Sequence, residues 1–265
     1  MSEVFLNARR TLNIAHRGAS VDAPENTLAA FERARELGAD GIELDVRLCA
    51  DGTPVVIHDA TVDRTTNGSG RVADMTLMEL KQLDAGTWFD PAFAGQRIPT
   101  LEETLVSVGS ELLLNIELKG HDLLGRRLAR AVVDLVEHYR LAERVVVSSF
   151  NPLPLHRVQK IAPQIPTGLL YIWAFFPRVA RLLSPRRYAA MHPSVAALSQ
   201  DHADWIRRHD YRIHVWTVDD PIDMSRLIGW GVGAIITNMP DLLHGLLETA
   251  SSVPSSHRPA REPGG

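Results

Sequence analysis

The chain of 265 residues has little of several things. It has one cysteine, Cys49, which excludes an internal disulfide and any zinc site built on several thiolates. A lone cysteine fits a reducing compartment, and the expected location is cytoplasmic. No apolar run approaches the ~20 residues that a membrane-spanning helix needs, so no transmembrane segment is expected. The opening residues, MSEVFLNARR, lack a basic region leading into an apolar core, so no secretory signal is read there. The 18 glycines and 16 prolines are scattered, which excludes collagenous and low-complexity architectures. No GxGxxG opens a first helix, which weighs against a dinucleotide-binding fold. The formal net charge of −4 gives no reason to expect nucleic acid as a partner. An anionic small molecule stays compatible, because local field and not total charge governs its binding.

What is present is an alternation. Short apolar, β-branched runs occur at Leu12–Ala15, Gly41–Leu48, Leu112–Leu118, Arg144–Ser149, Thr167–Tyr171, Val195–Ser199, Arg212–Val218 and Gly233–Thr237. Amphipathic stretches separate most of them: Thr27–Leu37, Leu101–Val108, Leu123–Tyr139, Leu153–Ile161, Ala203–His209 and Met224–Gly229, with a weaker helical pattern over Phe176–Ala190. Nearly continuous apolar strands between helices predict a parallel sheet covered on its outer face. Eight such units in about 250 residues are the size of a (β/α)8 TIM barrel. An open doubly wound sheet is the competing arrangement.

One segment breaks the alternation. Thr53–His58 is a further strand, yet Asp51-Gly52 leaves room only for a hairpin turn after Gly41–Leu48. A parallel neighbour needs a crossover of about a dozen residues. The second strand is therefore expected to run past the barrel mouth, turn back, and return His58 to that mouth. Residues 60–98 read as a small insertion with one short helix, Thr76–Gln82, opened by capping-box spacing between Thr76 and Glu79. Residues 1–250 then form the barrel domain, and 251–265, rich in Ser, Pro, Gly and Arg, form a disordered tail.

Charged residues sit where the barrel would place an active site. His16-Arg17-Gly18 falls at the end of the first strand. Strand C-termini face the site in this fold, although a loop histidine with a solvated arginine reads the same way. Glu43 and Asp45 share one face of the second strand, and that face is either the barrel interior or a solvated surface. In the interior, two carboxylates need a metal or a cationic cluster beside them. Glu117 and Lys119 form a second charged pair within LLLNIELK. If Glu43, Asp45 and Glu117 converge, the all-oxygen set suits one divalent cation, Mg²⁺ or Ca²⁺. His16 and His58 beside such a cation suit general acid and base work, and the adjacent arginine suits a phosphate.

In order and spacing these motifs resemble the glycerophosphodiester phosphodiesterase family. The matching segments are AHRGAS at 15–20, APENTLAAFERA at 23–34, GADGIELDVRL at 38–48, DGTPVVIHD at 51–59 and TVDRTTNGSG at 61–70. PTLEETL at 99–105, NIELK at 115–119, SSF at 148–150, VWTVD at 215–219 and GVGAIITNMP at 231–240 continue the likeness, which spans about residues 12–245. The resemblance implies a TIM barrel with a small insertion, and cation-dependent hydrolysis of glycerophosphodiesters to sn-glycerol 3-phosphate and an alcohol. It implies His16 and His58 as the acid/base pair and Glu43, Asp45 and Glu117 as metal ligands. Arg17 matches a phosphate contact, Lys119 a basic group near the phosphate, and Trp216 an aromatic that packs on the glycerol backbone. Two positions depart from the family pattern. Cys49-Ala50 stands where a threonine-lysine pair is common, and Asn238 stands where Thr-Asp-x-Pro has its aspartate, which removes a charge.

Other readings stay open at this point. A phosphatidylinositol phospholipase or sphingomyelinase D also uses histidines near a cation, and a stable cyclic phosphate product would mark a lyase. A non-catalytic barrel that binds phosphate esters belongs to another class. Tyr171–Tyr188 mixes aromatics with Arg178, Arg181, Arg186 and Arg187. It reads as a helix with an apolar core face, or as an amphipathic segment touching an anionic membrane. His192-Pro193, read as preceding the sixth strand, is a candidate for shaping the pocket. The sequence carries no signal of oligomeric state.

Overall fold

The computed structural model describes Phe5, Ala8 and residues 10–120, 125–173 and 188–252. Nine strands are described: β1 (Leu12–His16), β2 (Gly41–Leu48), β3 (Pro54–Val56), β4 (Leu113–Leu118), β5 (Val145–Ser149), β6 (Thr167–Tyr171), β7 (Ala190–Pro193), β8 (Arg212–Val215) and β9 (Ala234–Thr237). Eight of them run parallel in the order β1-β2-β4-β5-β6-β7-β8-β9, and β9 pairs with β1 to close the barrel. The helices among the described residues are α1 (Leu28–Glu36), α2 (Leu77–Leu80), α3 (Leu101–Val108), α4 (Arg126–His138), α5 (Pro152–Ile161), α6 (Gln200–Arg208), α7 (Pro221–Gly229) and α8 (Pro240–Ser252). The fold is the TIM barrel expected from the alternation.

Strand alternation sorts the side chains into two sets. Residues such as Ile42, Leu44, Val46, Leu114, Ile116, Val145 and Val147 pack outward against the helices, in one core with Phe31, Leu101, Val132 and Leu155. Leu12, Ile14, Leu113, Val146, Ala234 and Ile236 form a second cluster with Phe5. Register ties this inner cluster to the charged residues. Gly41 lies beside Leu113, Glu43 beside both His16 and Asn115, and Asp45 beside Glu117. Parallel neighbours in register face the same side. Apolar groups therefore fill the lower interior, and charged groups line the end toward which the strands point. The solvated-face reading of Glu43 and Asp45 is excluded, since they are only 4% and 1% exposed.

The hairpin forms as expected. β3 pairs antiparallel with β2 through Val46–Val56 and Leu48–Pro54, and the turn holds Gly52 at φ +85°. Asp51 accepts hydrogen bonds from the Thr53 backbone and hydroxyl and from the Leu77 backbone, which ties the turn to α2. Thr76 and Glu79 make the reciprocal capping box. The insertion has its own small core of Val55, Ile57, Val62, Val72, Leu80 and Ile98, joined by Cys49. The Cys49 thiol donates to Asp51 and is pushed up by burial, so this departure from the family pattern is a packing position away from the barrel interior.

Two expectations need correction. The sixth barrel strand is Ala190–Pro193 and not Val195–Ser199. His192 occupies the strand itself and is fully buried, while Val195–Ala197 is a 3-10 turn and Ser199 caps α6. The inward position of β7 is taken by a histidine, so apolarity points to the wrong segment. The closing helix α8 was not anticipated, though Pro240 at its start is a helix-opening signal. α8 extends to Ser252, two residues into the expected tail, and residues from 253 lie outside the described set. Most of the 171–188 segment, residues 174–187, also lies outside it. Among the described residues no helix is long and apolar enough to cross a membrane.

Gly41 marks where barrel closure tolerates no side chain. A Cβ there would lie 2.4 Å from the Leu113 carbonyl oxygen, a backbone atom that cannot rotate away. Gly41→Ala is expected to destabilise the protein by about 1–3 kcal/mol, read by urea denaturation. An unchanged midpoint would contradict this packing.

Candidate active site

The site begins with the bend after β1. Arg17 sits at φ +57°, and its backbone N–H donates to the Glu43 carbonyl and side chain at 2.9 and 3.2 Å. Gly18 follows at φ +85°, where a Cβ would lie 2.7 Å from the Ala30 backbone. The His-Arg-Gly sequence is thus a tight turn that aims His16 and Arg17 inward. Asn26, also left-handed at φ +57°, donates to Asp45 Oδ2 at 2.9 Å and receives the Asp45 backbone N–H. Left-handed non-glycine residues are uncommon and cluster at functional sites.

Glu43, Asp45 and Glu117 are all buried, and one carboxylate oxygen from each lies within 4.8 Å of the others. Two cations answer them. Lys119 Nζ is 2.7 Å from Glu117 and 3.4 Å from Asp45, and Arg17 Nε is 3.3 Å from Asp45. Their charge falls mainly on Asp45. Burial pushes that carboxyl up, but Lys119 and Arg17 outweigh it and hold Asp45 below its ordinary value. Glu43 is pushed well above the carboxylate range by burial, then by Asp45 and Glu117. Glu117 is pushed up to about 7 by burial and then by Asp45. Two cations do not neutralise three buried carboxylates. The set fits a hard divalent cation, which takes oxygen ligands and would relieve the remaining repulsion.

The two histidines are held alike. His16 Nδ1 donates to Asn238 Oδ1 at 2.7 Å, since the Asn238 amide is oriented by donating Nδ2 to Asp219 at 2.6 Å. His58 Nδ1 donates to Asp59 at 2.6 Å, and Arg64 braces Asp59 from the other side. In its neutral form each imidazole therefore carries an unprotonated Nε2 on the opposite edge, which takes the proton when the ring becomes imidazolium. Burial, followed by the charge of Arg17, lowers His16. Burial lowers His58, against the opposing pull of Asp45 and Asp59. Asn238 thus keeps His16 in place without a charge of its own, and Asp219 supplies the carboxylate one step behind.

A cavity of about 270 Å³ joins these groups. His16, Arg17, Glu43, His58, Glu117, Lys119 and Trp216 line it, together with Asn115, Phe150, Leu170 and Ile236. Asp45 lies just behind the wall. All eight residues singled out from the sequence are brought together. Trp216 donates its indole N–H to the His192 carbonyl and meets Phe150 edge-on at 5.4 Å, and Lys119 stands 5.8 Å from the Phe150 ring centre. Sequence reasoning gave no role to Phe150, Asn115, Asp219, Glu25 or Arg64. Glu25 accepts from both Arg17 and Arg64, linking the first bend to the insertion. The signal for Glu25 and Asn26 was the PENT motif, which was read only as part of a likeness.

The barrel and this site are compatible with phosphodiester chemistry, and the comparisons define the class. The sequence model of the glycerophosphoryl diester phosphodiesterase family matches residues 16–242. The chain is 46% identical to a glycerophosphodiester phosphodiesterase of Caldanaerobacter subterraneus over 90% of its own length and 98% of that protein's. It is 37% identical to one from Bacillus subtilis, over 91% and 87% of the two chains. A phosphodiesterase of Oleispira antarctica, solved with the product sn-glycerol 3-phosphate, superposes with a TM-score of 0.83 at 30% identity, covering 93% of this chain and 99% of the other. The chain belongs to the glycerophosphoryl diester phosphodiesterase family.

Two predictions follow from the geometry. Asp219 acts on His16 through Asn238, so Asp219→Ala is expected to lower kcat about 10- to 100-fold with little change in KM. Unchanged kcat would show that His16 needs no such support. The second concerns pH. A raised carboxyl pKa contributes stability that is complete below its ordinary value of 4.5 and lost as pH rises through about 7 for Glu117. His16 and His58, both lowered from 6.5, act in the opposite sense and only as pH falls below that value. Without a cation, the triad therefore weakens the fold most at pH 8. The gain in thermal midpoint on adding saturating Mg²⁺ or Ca²⁺ is expected to be larger at pH 8 than at pH 6, and equal gains would contradict the assignment.

Proposed function

We propose that the protein hydrolyses glycerophosphodiesters to sn-glycerol 3-phosphate and a free alcohol. The observation that carries this reading is the convergence of both histidines, the carboxylate set, Arg17 and Lys119 on one cavity with an aromatic wall. Glu43, Asp45 and Glu117 would hold one divalent cation, Mg²⁺ or Ca²⁺, which when bound supplies Lewis-acid polarisation of a phosphate oxygen. Arg17 and Lys119 stabilise charge on the phosphoryl oxygens. One histidine, neutral, accepts the proton of the attacking hydroxyl at its Nε2, and the other, entering the reaction as the imidazolium, donates its Nε2 proton to the departing alkoxide as the phosphorus–oxygen bond breaks. The attacker is water, or the neighbouring glycerol hydroxyl in a first step that water completes; the tethered hydroxyl has the advantage of proximity. Trp216 and Phe150 pack on the glycerol carbons. A cytoplasmic setting, supported by the lone Cys49, and a place in glycerol and lipid metabolism, supported by the family, belong to the same reading.

The test is phosphorus NMR of glycerophosphocholine, glycerophosphoethanolamine and glycerophosphoinositol incubated with the enzyme in EDTA, Mg²⁺ or Ca²⁺. Cation-dependent release of sn-glycerol 3-phosphate is expected, and a cyclic phosphate as the final product would move the protein to the lyases. His16→Ala and His58→Ala are each expected to lower the rate by about 10²–10⁴-fold with the fold retained by circular dichroism. Near-normal turnover in either variant would remove that histidine from the mechanism.

A further inference from the structure

Asn115 lies on β4 two positions before Glu117 and directly beside Glu43 in register. It is 1% exposed, yet it lines the cavity. Neither its Oδ1 nor its Nδ2 has a hydrogen-bond partner. Buried polar groups are normally paired, and a carboxamide with both ends unpaired costs the fold stability. Leucine, nearly the same shape, would fill the position without that cost. A group that is costly in the free protein and aimed into a cavity is one that a ligand satisfies.

The chemistry of that ligand can be narrowed. A cation would engage only Oδ1 and leave the amide N–H groups unpaired. A phosphate offers only acceptors and would leave Oδ1 unpaired. A hydroxyl both donates and accepts, and two adjacent hydroxyls engage both ends of the carboxamide at once. The surroundings agree. Arg17 and Lys119 supply positive charge for a phosphate, and Leu170, Ile236 and Trp216 in the wall of the same cavity suit a short carbon chain. We propose that Asn115 is the specificity-determining residue that recognises the vicinal hydroxyls of the substrate's glycerol moiety. This rests on the hydrolase reading above and adds to it the residue that separates a glycerol diester from other phosphodiesters.

The experiment compares the wild-type enzyme with Asn115→Leu and Asn115→Ala. The substrates are glycerophosphocholine and bis(p-nitrophenyl) phosphate, which has no hydroxyls, each with saturating cation. Cation affinity is measured by calorimetry and the thermal midpoint by scanning calorimetry. The ratio of kcat/KM for glycerophosphocholine to that for the aryl diester is expected to fall about tenfold or more, carried by a higher KM. Cation affinity is expected to stay within about threefold, and the Leu variant to melt at the wild-type temperature or above it. A merely structural role would lower the midpoint and both activities together, and would overturn the proposal. Loss of cation affinity would make Asn115 a metal ligand and overturn it as well, as would an unchanged substrate ratio. A wild-type enzyme that cleaves only the aryl diester would instead defeat the glycerophosphodiester reading on which the proposal stands.

Discussion

Three carboxyl groups held within 4.8 Å of one another inside a barrel repel strongly, and much of the surrounding structure answers that repulsion. At an effective dielectric of about 20, each ionised pair at such a separation costs on the order of 3–4 kcal/mol. Lys119 and Arg17 cover Asp45, and the two glutamates carry the remainder as raised proton affinity. Arg17 can take its position only because the backbone turns left-handed there and Gly18 lets the chain pass against Ala30. Glu25 then holds the other end of Arg17 and reaches Arg64 in the insertion, which braces Asp59 behind His58. One chain of ion pairs thus runs from the metal-ligand candidates to the second histidine.

The division of the barrel into an apolar lower interior and a charged upper one follows from this arrangement. Phe5, Ile14, Leu113, Val146 and Ile236 supply burial below, where charge would have no solvent to relax it. The charged groups sit at the C-terminal ends of β1, β2 and β4, at the end of the barrel where this fold places its active sites. The hairpin extends the second strand by one return, which delivers His58 to the cavity that His16 lines without disturbing the parallel ladder. The insertion is stabilised by its own core, so the returning segment does not depend on the barrel alone.

Much of this was legible because local signals and global placement agree. Alternation puts Glu43 with Asp45, and Glu117 with Lys119, on single faces, and Asp51-Gly52 allows only a hairpin. The sequence misleads where the interior is polar. His192 occupies an inward position of β7 that an apolar residue would have marked, and the apolar run after it forms a turn and a helix cap instead. Supporting residues were illegible for another reason. Asp219 reaches His16 only through Asn238, across strands distant in sequence, and no local pattern records such a contact. Asn115 was in view within NIELK, but its significance lies in having no partner, which only packing reveals.

The central claim is that the repulsion among Glu43, Asp45 and Glu117 is relieved by a single divalent cation in contact with the substrate phosphate. A crystal of the enzyme grown with Mn²⁺ and sn-glycerol 3-phosphate, with anomalous scattering recorded, tests it most directly. The account predicts one anomalous peak ligated by all three carboxylates and by a phosphate or glycerol oxygen. A bound glycerol 3-phosphate with no peak among these carboxylates, or with the metal held elsewhere, would contradict it.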